Sequence, residues 1–158
     1  MRFNVLAVLS SAAISITSLH ATTTASEFDL YLKDKSILNE QYKIQDKKQL
    51  DEILTVLSAE DSRTLPLQID QNTLIEQLQL SHNQTELKGT ITTPDFNQLE
   101  TDLGKKEIRA MITQNLLNNC AIFFEHQYQR VNPYRIQVSL ASDHDQYNVT
   151  IKQKDCGL

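Results

Sequence analysis

The chain holds three glycines in 158 residues, and Gly89, Gly104 and Gly157 stand far apart. Phosphate-cradling loops, dinucleotide fingerprints and nucleophile elbows all need closely spaced glycines, so those classes are excluded. Metal-ligand spacing is lacking too. There are two cysteines and four histidines, with no C-x-x-C or H-x-x-x-H pairing, and His82, His126 and His144 fall in separate segments. No zinc or haem site is expected, and no cofactor. An excess of positive charge is also absent. The formal net charge is −5, which argues against nucleic acid or an anionic membrane surface as the main partner. No internal repeat or low-complexity run is visible.

What is present begins with a leader. Arg2 precedes an apolar stretch from Val5 to Ile16, and a small residue follows at Ala21. This is the layout of a secretory signal over residues 1–21, and the apolar part falls short of the about 20 residues that span a bilayer. Cleavage is expected after Ala21. Ala25 is the second candidate, because Thr23 and Ala25 also put small residues at the recognised positions, and no cysteine follows to carry a lipid anchor. The expected product is a periplasmic or secreted protein without an integral membrane segment. Its remaining length suits one domain with a modest core.

Residues 22–45 read ambiguously. Phe28, Tyr31 and Leu32 fit a helical face, whereas Phe28, Leu30 and Leu32 fit strand alternation. The single domain is therefore placed at 46–158. Asp46 and Gln49 resemble a capping box, and Leu50, Ile53, Leu54 and Leu57 form a helical stripe, predicting a helix over 47–59. Pro66 then leads into a β region.

Two hairpins follow. In the first, Leu74, Leu78 and Leu80 share one face of TLIEQLQLS against Ile75, Gln77 and Gln79, and Leu87, Gly89 and Ile91 share a face of the return strand. In the second, Tyr134, Ile136, Val138 and Leu140 alternate with Arg135, Gln137 and Ser139, and Tyr147, Val149 and Ile151 with Asn148, Thr150 and Lys152. Between them a helix is expected to start at Thr93-Pro94, with Phe96, Leu99 and Leu103 at helical spacing up to Gly104. The period resumes through Ile108, Met111, Ile112, Leu116 and Cys120, so Gly104 either ends a short helix or kinks a long one. The expected fold is a two-layer α+β domain: a four-stranded antiparallel sheet of two hairpins, covered on one face by helices.

Cys120 lies six residues ahead of His126. On a helix that separation turns the side chain by about 600°, so the two point in different directions and make no local nucleophile and base. In an exported chain, two cysteines, one ending a core helix and one just past the last strand, read as a disulfide between Cys120 and Cys156.

LPLQIDQNT, the hairpins around a helix ending in Cys120, the strand YRIQVSL and the terminal Cys156 resemble a family of small exported bacterial proteins named quorum-sensing-regulated virulence factors, over about residues 65–156. The resemblance implies an exported α+β fold with one disulfide. It implies no activity and assigns no catalytic residue.

Elsewhere the polar patterns read as structure. Asp143 to Asp145 reads as a turn, and Glu100 and Asp102 as a solvated helix face. The sequons at Asn83 and Asn148 carry no modification in a bacterium. The polar sheet face, with Arg135, Gln137, Thr150 and Lys152 and also Gln77 and Gln79, is the candidate docking surface for an unknown protein partner. The function that follows is a non-enzymatic binding module of the bacterial envelope or secretome, of immunity, inhibitor or accessory type. One alternative is a secreted virulence-associated effector. Another is a small secreted hydrolase that gathers His126 or His144, Asp143 or Glu125, and Ser139 or Ser142 only in the fold.

Overall fold

The computed structural model describes residues 25–157. The expected leader, residues 1–21, lies outside the described residues. Ser26 caps the first helix. Its hydroxyl accepts the Asp29 N–H while the Asp29 carboxylate accepts the Ser26 N–H, a reciprocal cap that makes 27–34 a helix, α1 (Glu27–Asp34). Leu32 of this helix, with Ile37 and Leu38 beyond it, joins the same core as Leu50, Phe124 and Ile136. The helical face through Leu32 thus prevails over strand alternation.

Helix α2 (Lys47–Asp61) starts where the sequence predicts, with Asp46 accepting the Gln49 N–H at 2.9 Å, and buries Leu50 and Leu54. It is fastened to the sheet by two polar ties. Ser58 Oγ donates to Leu54 O and accepts the Leu80 N–H at 2.8 Å, and the Asp51 carboxylate meets both the backbone N–H and Nδ1 of His82. The apolar stripe sets the packing, and the ties fix the register.

The fold class is α+β with one disulfide, as the sequence predicts, but the sheet differs in two details. Five strands lie in the order β1 (Leu67–Asp70), β2 (Thr73–Ser81), β3 (Gln84–Ile91), β4 (Arg135–Ala141), β5 (Gln146–Lys152). Strand β1 is a short extra edge. Strands β3 and β4 pair in parallel, Gln84 beside Arg135 and Leu87 beside Val138, so the sheet is mixed. Parallel neighbours need a crossover of a dozen or more residues. Residues 92–134 supply one and carry α3 (Phe96–Leu103), α4 (Lys105–Asn118), α5 (Cys120–Phe123) and α6 (Gln127–Val131).

Local corrections have local causes. The α3 helix begins after Asp95, which holds a positive φ of 62°, so Thr93 and Pro94 stay outside it. Gly104, at φ 80°, ends α3 and opens α4 rather than kinking one long helix. In β2 the register slips between Ile75, opposite Gly89, and Gln77, opposite Lys88. The extra residue, Glu76, is a bulge that moves the core face from odd to even positions. Ile75 is therefore buried on the side of Leu78 and Leu80 and does not face out with Gln77 and Gln79. At Gly89 a Cβ would stand 2.2 Å from Leu74 O, so only glycine allows β2 and β3 to approach this closely beside the bulge.

Strands β4 and β5 alternate buried and more exposed residues throughout, as read from the sequence. The disulfide closes the layers. Cys120, at the start of α5, bonds Cys156, which ends a 3-10 turn (Gln153–Cys156) following β5, with the Cα atoms 5.8 Å apart.

Candidate functional site

Helix α2 packs on β2 and α4 on β5, leaving the middle of the sheet between them incompletely covered. The result is a groove of about 740 Å³, within the range of ligand-binding clefts. Its floor is Ile75, Leu78, Leu87, Val138 and Leu140, and its wall is Ile112 and Leu116 of α4 with Ile122 and Phe123 of α5. Leu65 and Leu67 flank it beside Pro66. The polar groups Asp61, Thr64, Asn115 and Asn119 also line it. Apolar surface continues past the cavity, since Ile122 is 72 % exposed and Leu67 49 %. A rim of polar groups around an apolar centre is the pattern of a recognition surface.

The floor has a further property. Strands β3 and β4 are paired on both sides along their length, whereas β1 covers β2 only at Thr73, Leu74 and Ile75. The N–H and C=O groups of β3 and β4 are used in the sheet, so at Leu87, Val138 and Leu140 the floor offers an occupant side-chain contact and no backbone pairing.

The four residues predicted for docking are brought together on the opposite face. Arg135 sits across from Lys152, and Gln137 across from Thr150, on the neighbouring strands β4 and β5. Arg135 donates from Nε and Nη2 to Gln84 Oε1, at 3.0 and 2.6 Å. With Lys154, Arg135 and Lys152 line a second hollow of about 360 Å³. Gln77 and Gln79 lie away from this quartet on β2. The quartet is polar, with Gln137 half-buried and the other three exposed, and has no apolar anchor at its centre, the element on which most interface energy rests.

The proposed hydrolase residues are not gathered. Ser139 Oγ donates to Asn148 Oδ1 at 2.8 Å, and Ser142 Oγ donates to Glu100 Oε1 at 2.5 Å. Asp143 pairs with Asn97, and His144 contributes a backbone N–H at 3.4 Å to Ser142. His126 instead meets Ser26, which sequence reasoning did not consider, with Nδ1 2.8 Å from Oγ. The proton count decides what that contact is. The Ser26 hydroxyl has one hydrogen, given to Asp29 Oδ2 at 2.7 Å, so the hydrogen between Ser26 and His126 sits on Nδ1 and the imidazole donates. A base that must take the serine proton cannot be donating to the same oxygen. Ser26 and His126 are packing and capping groups.

Glu100 is half-buried rather than fully solvated, while Asp102 is exposed as read from the sequence. Glu100 accepts from Tyr147 OH at 2.6 Å as well as from Ser142, pinning α3 to β5 and to the β4–β5 turn. Burial pushes the phenols of Tyr128 and Tyr134 up from their ordinary value; both stand in an aromatic cluster with Phe28, Phe124 and His126. Among the described residues no group of three or more His, Cys, Asp or Glu is placed to hold a metal ion, and no helix is long and apolar enough to cross a membrane.

No family model and no curated protein matches the chain. Among solved structures it is similar to a candidate secreted protein from Pseudomonas aeruginosa, at 12 % identity and TM-score 0.45, over 70 % of this chain and 95 % of that one. It is also similar to the type 2 secretion system pilotin of Vibrio vulnificus, at 14 % identity and TM-score 0.37, over 70 % and 94 %. At these values neither likeness bears on what the groove binds.

Proposed function

We propose that the chain is an exported, non-enzymatic binding module whose groove takes an amphipathic helix of a partner protein. The observation that carries this reading is the apolar floor, whose central strands β3 and β4 have their backbone paired on both sides. A peptide entering an apolar site buries its own N–H and C=O groups, and each unpaired one is costly. An extended segment finds no edge to pair with on β3 or β4, and on the outer part of β2 the Leu80 N–H is already taken by Ser58. A helix satisfies its backbone internally and presents only side chains, the helix-in-groove mode of recognition.

Apolar surface beyond the cavity, at Ile122 and Leu67, favours an occupant that lies across the opening over one that sits wholly inside it, such as an acyl chain. Asp61 on the rim and the net charge of −5 suit basic residues flanking the apolar stripe of the partner. Export is supported by the leader pattern and by the disulfide, which persists in oxidising compartments. The donating role of His126 supports a binding function over hydrolysis.

The test places a photo-reactive amino acid at Ile122 or, separately, at Gln137 in the protein expressed in its organism of origin. The expected result is an adduct from position 122 to an apolar residue in an amphipathic segment of one protein. An adduct only from position 137 would move the docking surface to the polar face. A lipid adduct from position 122 would replace the protein partner.

A further inference from the structure

Asp29 is fully buried, and its carboxylate accepts four hydrogen bonds. They come from the Ser26 N–H at 3.1 Å, the Ser26 hydroxyl at 2.7 Å, the Gln127 N–H at 2.8 Å and the Tyr128 N–H at 3.2 Å. It thereby joins the start of α1 to the start of α6. All four donors are neutral in the uncut chain, and none of the ion pairs among the described residues includes Asp29. A buried carboxylate without a cation is expensive to hold. A cation generated at the backbone nitrogen of Ser26 would stand at hydrogen-bond distance from this carboxylate, whereas the imidazole of His126 reaches it only through the Ser26 hydroxyl.

That nitrogen belongs to the peptide bond of the second candidate cleavage position. Cutting there leaves Thr23 and Ala25, both small, at the two recognised positions, whereas cutting after Ala21 would put Leu19 at one of them. We infer that the leader is removed between Ala25 and Ser26, and that the α-ammonium so created forms an ion pair with the buried carboxylate of Asp29. A signal peptidase adds one water across the bond. The hydroxyl goes to the Ala25 carbonyl carbon, the hydrogen goes to Ser26 nitrogen, and that amine takes a further proton from solvent.

The Ser26 nitrogen is already within ion-pair distance of Oδ2, so the charge arises in place and needs no rearrangement of α1. One neutral donor becomes a charge-assisted one, roughly twice as strong. The clamp between α1 and α6 is then complete only in the processed chain. The inference rests on the export reading and adds to it the position of the cut and its structural consequence.

The precursor is produced in a Gram-negative host and the processed protein is read by N-terminal sequencing and intact mass. The expected chain begins at Ser26. A chain beginning at Thr22 overturns the inference and leaves export standing, and an uncut chain overturns both. A second measurement addresses the ion pair. Protein beginning at Ser26 is compared with protein that retains Ala25 and with N-acetylated protein. Each modification is expected to lower the folding equilibrium constant by about tenfold, and the loss should shrink several-fold in an Asp29→Asn background. Equal stability of the three chains overturns the ion pair, and that comparison holds even where Asp29→Asn fails to fold.

Discussion

Replacing both cysteines by alanine removes the tie between α5 and the end of β5. The bond closes a loop of sequence separation 36, and the chain-entropy relation gives a loss of about 13 cal/mol/K, or about 4 kcal/mol at 25 °C. That is a large share of the roughly 5–15 kcal/mol that holds a small domain folded. Because Cys120 is buried and Cys156 packs against the core, alanine adds no polar group, and the lost sulfur contacts act in the same direction. Urea unfolding followed by far-UV circular dichroism is the assay. With slopes of about 1–3 kcal/mol/M, the midpoint should fall by about 1.3–4 M while the slope rises, since the unlinked chain exposes more surface. Reduction of the unmutated protein should reproduce the shift. A midpoint change below about 0.3 M would refute the reasoning, because the tie would then leave the unfolded ensemble unrestricted.

Other outcomes follow from single contacts. Gly89→Ala drives a methyl group into Leu74 O and should cost about 1–3 kcal/mol in chemical unfolding. Ser58→Ala leaves the Leu80 N–H without its partner and should cost about 1–3 kcal/mol, with faster hydrogen exchange at Leu80. Raised phenol pKa values at Tyr128 and Tyr134 mean that the folded state holds these protons more tightly than the unfolded chain does. Their contribution is therefore full below the unfolded value of about 10 and is lost as the pH rises above it, so alkaline titration should show cooperative unfolding together with tyrosinate absorbance.

Much of the fold is legible because it rests on period. The stripe Leu50, Ile53, Leu54 and Leu57 with its Asp46 cap defines α2, and strict alternation defines β4 and β5. The disulfide is legible from compartment and count. Strand β1 is hidden because four residues, Leu67–Asp70, are too few to show alternation. The parallel pairing of β3 with β4 is hidden because hairpin patterns say nothing of how two hairpins meet. The face of Ile75 is lost to a bulge at Glu76, which no local residue type announces.

The groove is harder still to read in advance. Its lining comes from the end of α2, the turn before Pro66, β1 to β4, α4 and α5, so no contiguous pattern exists. A weak signal was available in Leu67 and Ile122, apolar residues outside the stripes and alternations used to assign the core. The contact of Ser26 with His126 spans 100 positions and depends on where α1 docks against α6.

The most direct measurement of the groove reading is a methyl NMR titration of the processed protein with the partner segment captured at position 122. Occupation of the groove predicts that methyl signals of Ile75, Leu87, Leu116, Ile122 and Leu140 shift together and that Ile122→Arg abolishes the effect. Shifts confined to Thr150 and its neighbours on the polar face, with those five signals unmoved, would contradict it.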